Sequence, residues 1–188
     1  VNGISLTISK VLKNGFEKKN INGRSYNFPK TQVDAVINCR SAGIHANCTW
    51  IMACPGEELK HLQTSVAFIM WQKEFWTKGI EPGTNDFTRL EEGVNQNMFT
   101  ATAYPGTDLW KEVRPDLKMN FDLNFDLNGE PICDDAFHKY ILELDDATKV
   151  LNNKNGDPVN LGSMKMDTFL QAREYADSNQ LEKILEME

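Results

Sequence analysis

Nowhere does this chain carry an apolar run approaching the roughly 20 residues that cross a bilayer. Its start also lacks a basic region followed by an apolar core. Neither a membrane span nor a secretory signal is expected, and the locations left are the cytoplasm or a virion. Cysteine is scarce: Cys39, Cys48, Cys54 and Cys133 are too few and too irregularly spaced for a disulfide framework in 188 residues, so reduced thiols are the expectation. Serine-hydrolase chemistry has no G-x-S-x-G, and phosphate binding has neither G-x-G-x-x-G nor G-x-x-x-x-G-K-[ST]. A basic surplus is missing as well. With 20 basic against 27 acidic residues, net −7, little drives broad binding to a phosphate backbone, and nucleic acid is not the expected partner.

What is present is an ordinary globular composition, 40% hydrophobic and 25% charged, long enough for one domain spanning residues 1–188 with a sizeable core. Charge is divided along the chain. Residues 1–40 carry seven bases and two acids, net +5, and the remainder is −12. Such polarity can orient head-to-tail contacts between identical subunits.

Residues 4–9 alternate Ile4, Leu6 and Ile8 with polar partners, which predicts a half-buried strand. Asn-Gly pairs at 14–15 and 22–23 then predict tight turns, giving a basic hairpin region over 1–40. VDAVINC at 33–39 fits a strand or a short helix, and NCTWIMAC at 47–54 reads as a strand. After Pro55-Gly56, residues of about 57–78 form the best helix candidate, with Glu57 and Glu58 at the positive end of the dipole and apolar residues around most of its circumference. VAFIMW within it also permits a central strand. Pro-Gly-Thr opens a short helical stretch twice, at 82 and at 105. From Lys118 to Asn128 polar and apolar residues alternate without a break, Asn128-Gly129 supplies a turn, and FHKYILELD at 137–145 is read as the return strand of a meander. A C-terminal helix over about 163–187, capped by Ser163 and breaking near Ser178, closes the chain. The predicted class is α+β: a mainly antiparallel sheet built from hairpins, packed by the central and C-terminal helices.

Chemistry-bearing candidates each compete with a structural role. Asn124, Asp126, Asn128 and Asp135 fall at positions 1, 3, 5 and 12 of an EF-hand-like loop. Position 8 is Pro131, and the upstream alternation is explained by a strand and not by a cation loop, so the strand is preferred and these four remain weak metal candidates. Among Cys39, His45, Cys48 and Cys54, only His45 and Cys48 have zinc-ligand spacing, so neither metal nor cofactor is expected. Cys54 precedes a predicted helix N-terminus, where the dipole would lower a thiol pKa. A Cys-dependent hydrolase centred on Cys54 would need His45, His61 or His138 as base, with His45 the first choice. Tyr26 and Phe28 beside the basic turns offer stacking platforms for single-stranded nucleic acid.

NINGRSYNFPKTQVDAVI, residues 20–37, resembles the N-x-N-x-R-x-Y-P segment near the start of phage prohead proteases and covers about a tenth of the chain. The histidine- and serine-containing catalytic segments of that family have no counterpart downstream, so the resemblance implies a viral setting and assigns no catalytic residue. The expected function is a non-catalytic structural or interaction protein, a virion or assembly component that contacts other subunits as a homo-oligomer. The Cys54 hydrolase is the alternative, and a single-stranded nucleic-acid binder the second alternative.

Overall fold

A computed structural model describes residues 15–46, 48–92, 94, 98–104, 107–117, 126–128, 132, 134–143 and 159–188. The elements in chain order are β1 (Phe16–Ile21), β2 (Arg24–Pro29), α1 (Lys30–Ser41), β3 (Trp50–Met52), α2 (Leu59–Thr77), α3 (Asn85–Glu92), β4 (Met98–Thr100), α4 (Asp108–Leu117), α5 (Asp135–Glu143) and α6 (Met166–Asp177). A 3-10 segment, Leu181–Glu186, ends the fold. The class is α+β, with helices packed on an antiparallel hairpin.

The hairpin follows from its turn. Asn22 and Gly23 sit at φ +49° and +77°, the left-handed pair that a two-residue turn requires. That fixes Ile21 opposite Arg24 and carries the register out to Phe16 opposite Pro29. Lys30 N donates to Gly15 O at 3.0 Å, so the far end of the hairpin satisfies the first N–H of α1. VDAVINC is therefore helical. α1 ends where Gly43, at φ +69°, lets Ile44 N reach Cys39 O (2.9 Å) and Gly43 N reach Arg40 O (3.0 Å), a Schellman closure.

A second, smaller sheet accompanies the antiparallel hairpin: β3 pairs with β4 in parallel, Trp50 opposite Met98. The strand predicted at 47–54 shrinks to Trp50–Met52, with Trp50 and Met52 buried. β4 lies in a stretch with no sequence signal for a strand. Arg173 of α6 holds its end, donating to Thr100 Oγ1 at 3.0 Å.

α2 is the axis of the core, and the strand alternative for VAFIMW falls. The hairpin packs on one side of it and the 3-10 segment on the other, which accounts for apolar residues around most of its circumference. Phe68 is the hub, within 5.1 Å of Phe28 and Trp71 and 5.6 Å of Trp50, ring centre to ring centre. On the other side Leu181, Ile184 and Leu185 are buried, and Gln63 Nε2 donates to Ile184 O and Met187 O at 3.1 and 2.9 Å. Arg24 Nη1 reaches Leu185 O at 2.7 Å. The basic hairpin thus closes onto the acidic C-terminal segment of its own chain.

Both Pro-Gly-Thr marks open helices by the same device. Thr84 Oγ1 accepts from Phe87 N at 3.2 Å before α3, and Thr107 Oγ1 accepts from Trp110 N at 3.1 Å before α4. The predicted C-terminal helix divides as expected near Ser178, but Ser163 does not cap it. Lys165 holds that position, and Ser163 N donates to Glu57 O at 2.8 Å. Asn179, at φ +58°, closes α6 in the role Gly43 plays for α1.

FHKYILELD is not a return strand. Residues 135–143 are helical, with Asp135 in the first turn and a Lys139–Glu143 ion pair at 3.8 Å. Phe137, Tyr140, Ile141 and Leu144 recur with helical spacing as well as the alternation Tyr140, Leu142, Leu144 does with strand spacing, so the string satisfies both periods. The predicted strand at 4–9 and most of that at 118–128 lie outside the described residues.

Candidate functional site

The sequence candidates converge on the short connection from β3 to α2. Met52 ends the strand, and Ala53, fully buried, takes φ +60°, a left-handed conformation costly for any residue with a Cβ. Something must hold it there, and Glu57 does. The side chain of Glu57 turns inward to accept from Ala53 N, while Glu57 N donates to Cys54 O at 2.9 Å. The residues before α6 close the site from outside. At Gly162 an added Cβ would lie 3.0 Å from Glu57 O and 3.3 Å from Ala53 Cα, so a side chain there would force its backbone neighbours to shift by a few tenths of an ångström.

Burial pushes the Glu57 carboxyl up to about 7, against the opposing pull of the backbone N–H groups of Ala53 and Cys54. The neighbouring Glu58 behaves oppositely. Its hydrogen bond and ion pair with Lys60, 2.7 Å, hold its carboxyl below the usual carboxylate range. Two adjacent glutamates that look equivalent as dipole partners in the sequence are thus a buried clasp and a solvated cap.

Cys54 is half-buried, and burial, with Glu57 adding repulsion, pushes its thiol up to about 11. This reverses the expectation of a dipole-lowered pKa: α2 begins at Leu59, and Glu57 stands between its N-terminus and the sulfur. Nor does the fold bring His45 to it. His45 stacks on Trp76 at 5.2 Å, one residue before the end of α2, whereas Cys54 lies before its start. The 19 residues of α2 separate those ends by about 28 Å. His61 Nδ1 accepts from Glu58 N at 3.1 Å as part of the helix cap, and His138 is exposed on α5.

The other candidates are dispersed too. Cys39 and Cys48 are half-buried free thiols beside one cavity, Cys48 pushed upward by burial. Among the described residues no three His, Cys, Asp or Glu side chains gather as metal ligands. Of the EF-hand-like set, Asp126 and Asn128 are exposed in a turn where Asn128 N donates to Asp126 Oδ1 at 2.8 Å, Asp135 is exposed at the first turn of α5, and Asn124 lies outside the described residues.

The stacking platforms move inward. Phe28 is fully buried, and Tyr26, half-buried, stacks on it at 6.4 Å. Two cations of this region are engaged within the chain: Lys19 pairs with Glu17 and lies 5.4 Å over the Trp71 ring, and Lys30 at the start of α1 binds Asp34 at 2.6 Å. What sequence reasoning missed is Glu57 as a buried acid, and the cavity beside Cys39 and Cys48. No family model, no curated protein and no solved structure matches the chain.

Proposed function

We propose that this chain works by association: a non-catalytic interaction protein that serves as one subunit of a homo-oligomeric assembly. One observation carries the reading. Every described side chain of α5 is exposed, Leu142 at 85%. A nine-residue helix is marginal in water by itself and gains its stability from packing an apolar face. A partner surface covering Leu142 would add to that packing. Other large apolar side chains also face solvent, among them Phe16, Ile44, Phe99 and Tyr104. The divided charge adds an orientation preference, although Arg24 already spends part of it inside the chain. No helix among the described residues is long and apolar enough to cross a membrane.

The virion setting is the finer part of the proposal and rests on the resemblance at 20–37, which spans the Asn22-Gly23 turn, β2 and the first two thirds of α1. Light scattering over a range of concentrations tests the association itself. A mass above that of one 21.4 kDa chain, falling toward the monomer in Leu142→Lys, is the expected result. A monomer at every concentration overturns it.

A further inference from the structure

Among the described residues Glu57 is the one acid buried in the fold, 6% exposed. Its side chain accepts from Ala53 N, and no cation among the described residues pairs with it. A carboxylate in such a place lacks both its hydration and a counter-charge, whereas the neutral acid needs neither. Whatever shuts water out therefore works against the ionised form.

That cover is a strap, residues 159–165, laid on the β3–α2 turn just before α6. Ser163 N donates to Glu57 O at 2.8 Å, and an added Cβ on Gly162 would stand 3.0 Å from that oxygen and 3.3 Å from Ala53 Cα. The strap is braced from within. Asn160 Nδ2 donates to Met164 O at 2.7 Å, and Asn160 Oδ1 accepts from Gly162 N at 2.9 Å. Met164, 8% exposed, seats it. A short segment with its own internal bonds, tied to the turn by a main-chain bond and a buried methionine, can open while α2 stays folded.

Few charges surround the carboxyl. Cys54, on the same turn, is the titratable group in electrostatic contact with it. At the start of α2, Glu58 and Lys60 are exposed and pair with each other, and His61 serves the helix cap. Lys165 on the strap and Asp167 at the start of α6 are exposed, and neither β3 nor β4 carries a charge.

We infer that the 159–165 strap is a pH-operated latch: with Glu57 protonated it lies closed over the β3–α2 turn, and loss of that proton to solvent favours its lifting. Burial raises the carboxyl from 4.5 to about 7, so the closed form keeps its proton where the open form gives it up. Opening is thus favoured by up to about tenfold per pH unit between those values and levels off above 7. Cys54, its thiol pushed up to about 11, stays neutral throughout. The latch acts within one chain and is independent of the association proposed above.

Hydrogen exchange of the native chain, read by peptide mass spectrometry between pH 5 and 8 and corrected for the intrinsic pH dependence of amide exchange, tests it. Protection over 159–165 should fall roughly ten- to a hundred-fold from pH 5 to 7 and change little from 7 to 8. At every pH the strap should exchange at least about tenfold faster than the middle of α2, the mark of opening short of global unfolding. Glu57→Gln, neutral at every pH, should flatten the profile, with circular dichroism checking its fold; the parent profile decides alone if that variant does not fold. The inference is overturned if strap protection does not vary with pH, if it equals that of the middle of α2, or if folded Glu57→Gln keeps the full slope.

Discussion

Two half-buried thiol environments flank β3, and they are built in opposite ways. Downstream, around Cys54, the chain is crowded: Ala53 is held in a left-handed conformation, Glu57 is clasped to its N–H, and a Cβ on Gly162 would press on the Glu57 and Ala53 backbone. Upstream, around Cys39 and Cys48, an apolar void stands beside unpartnered polar atoms. The first has the strained residue and the near-neutral carboxyl that mark many active sites, yet Ala53 and Glu57 are both buried under the 160–164 segment. The second has no charge at all, yet it has space. Perturbed pKa values and strain point to catalysis only where a ligand can reach them.

The comparison can be broken from its upstream side. Phe68→Ala removes the ring on which Phe28, Trp50 and Trp71 converge and should cost about 3–5 kcal/mol in urea unfolding, enlarging the upstream void and leaving the downstream clasp intact. The clasp has its own signature in pH. The Glu57 carboxyl is raised from 4.5 to about 7 in the folded chain, so between those values the unfolded chain releases a proton that the folded chain keeps. Its contribution to stability is fully present below about pH 4.5 and is lost as pH rises to 7, a decline of about 3 kcal/mol at most. Glu57→Gln keeps an acceptor for Ala53 N and should remove that part of the slope; an unchanged slope between pH 5 and 8 would show that Glu57 is not its source.

Smaller effects sharpen the contrast in available space. Gly162→Ala pushes a methyl to 3.0 Å from Glu57 O and should destabilise by roughly 1–3 kcal/mol, whereas Ala35→Leu at the upstream mouth should stay within about 0.5 kcal/mol of the parent. Equal losses would erase the distinction. Ala53→Gly should be nearly neutral in thermal unfolding: relief of about 1 kcal/mol of left-handed strain offsets about 0.8 kcal/mol for the buried methyl it deletes.

Local rules made much of the fold readable. The Asn22-Gly23 turn, the Thr84 and Thr107 caps and the all-round apolar character of 59–77 each depend on near neighbours, and each is found where the sequence points. Residues 137–143 were not readable, because one string fits both the strand and the helix period and only tertiary context decides between them. β4 was hidden by its length of three residues and by pairing with a strand far away in sequence. The candidate sites were less legible still. Whether a glutamate at a helix start points into water or into the core is set by what packs over it, here the 160–164 segment, and nothing in Glu57-Glu58 announces the difference. An alanine at positive φ carries no sequence mark, and a cavity is a property of what fails to meet.

Peptide-resolved alkylation by iodoacetamide at neutral pH tests most directly the claim that the β3–α2 turn is a clasp and not a nucleophile. With its thiol pushed up to about 11, Cys54 should react about two orders of magnitude more slowly than a free cysteine. Rapid modification confined to Cys54, ahead of Cys39 and Cys48, would contradict the account.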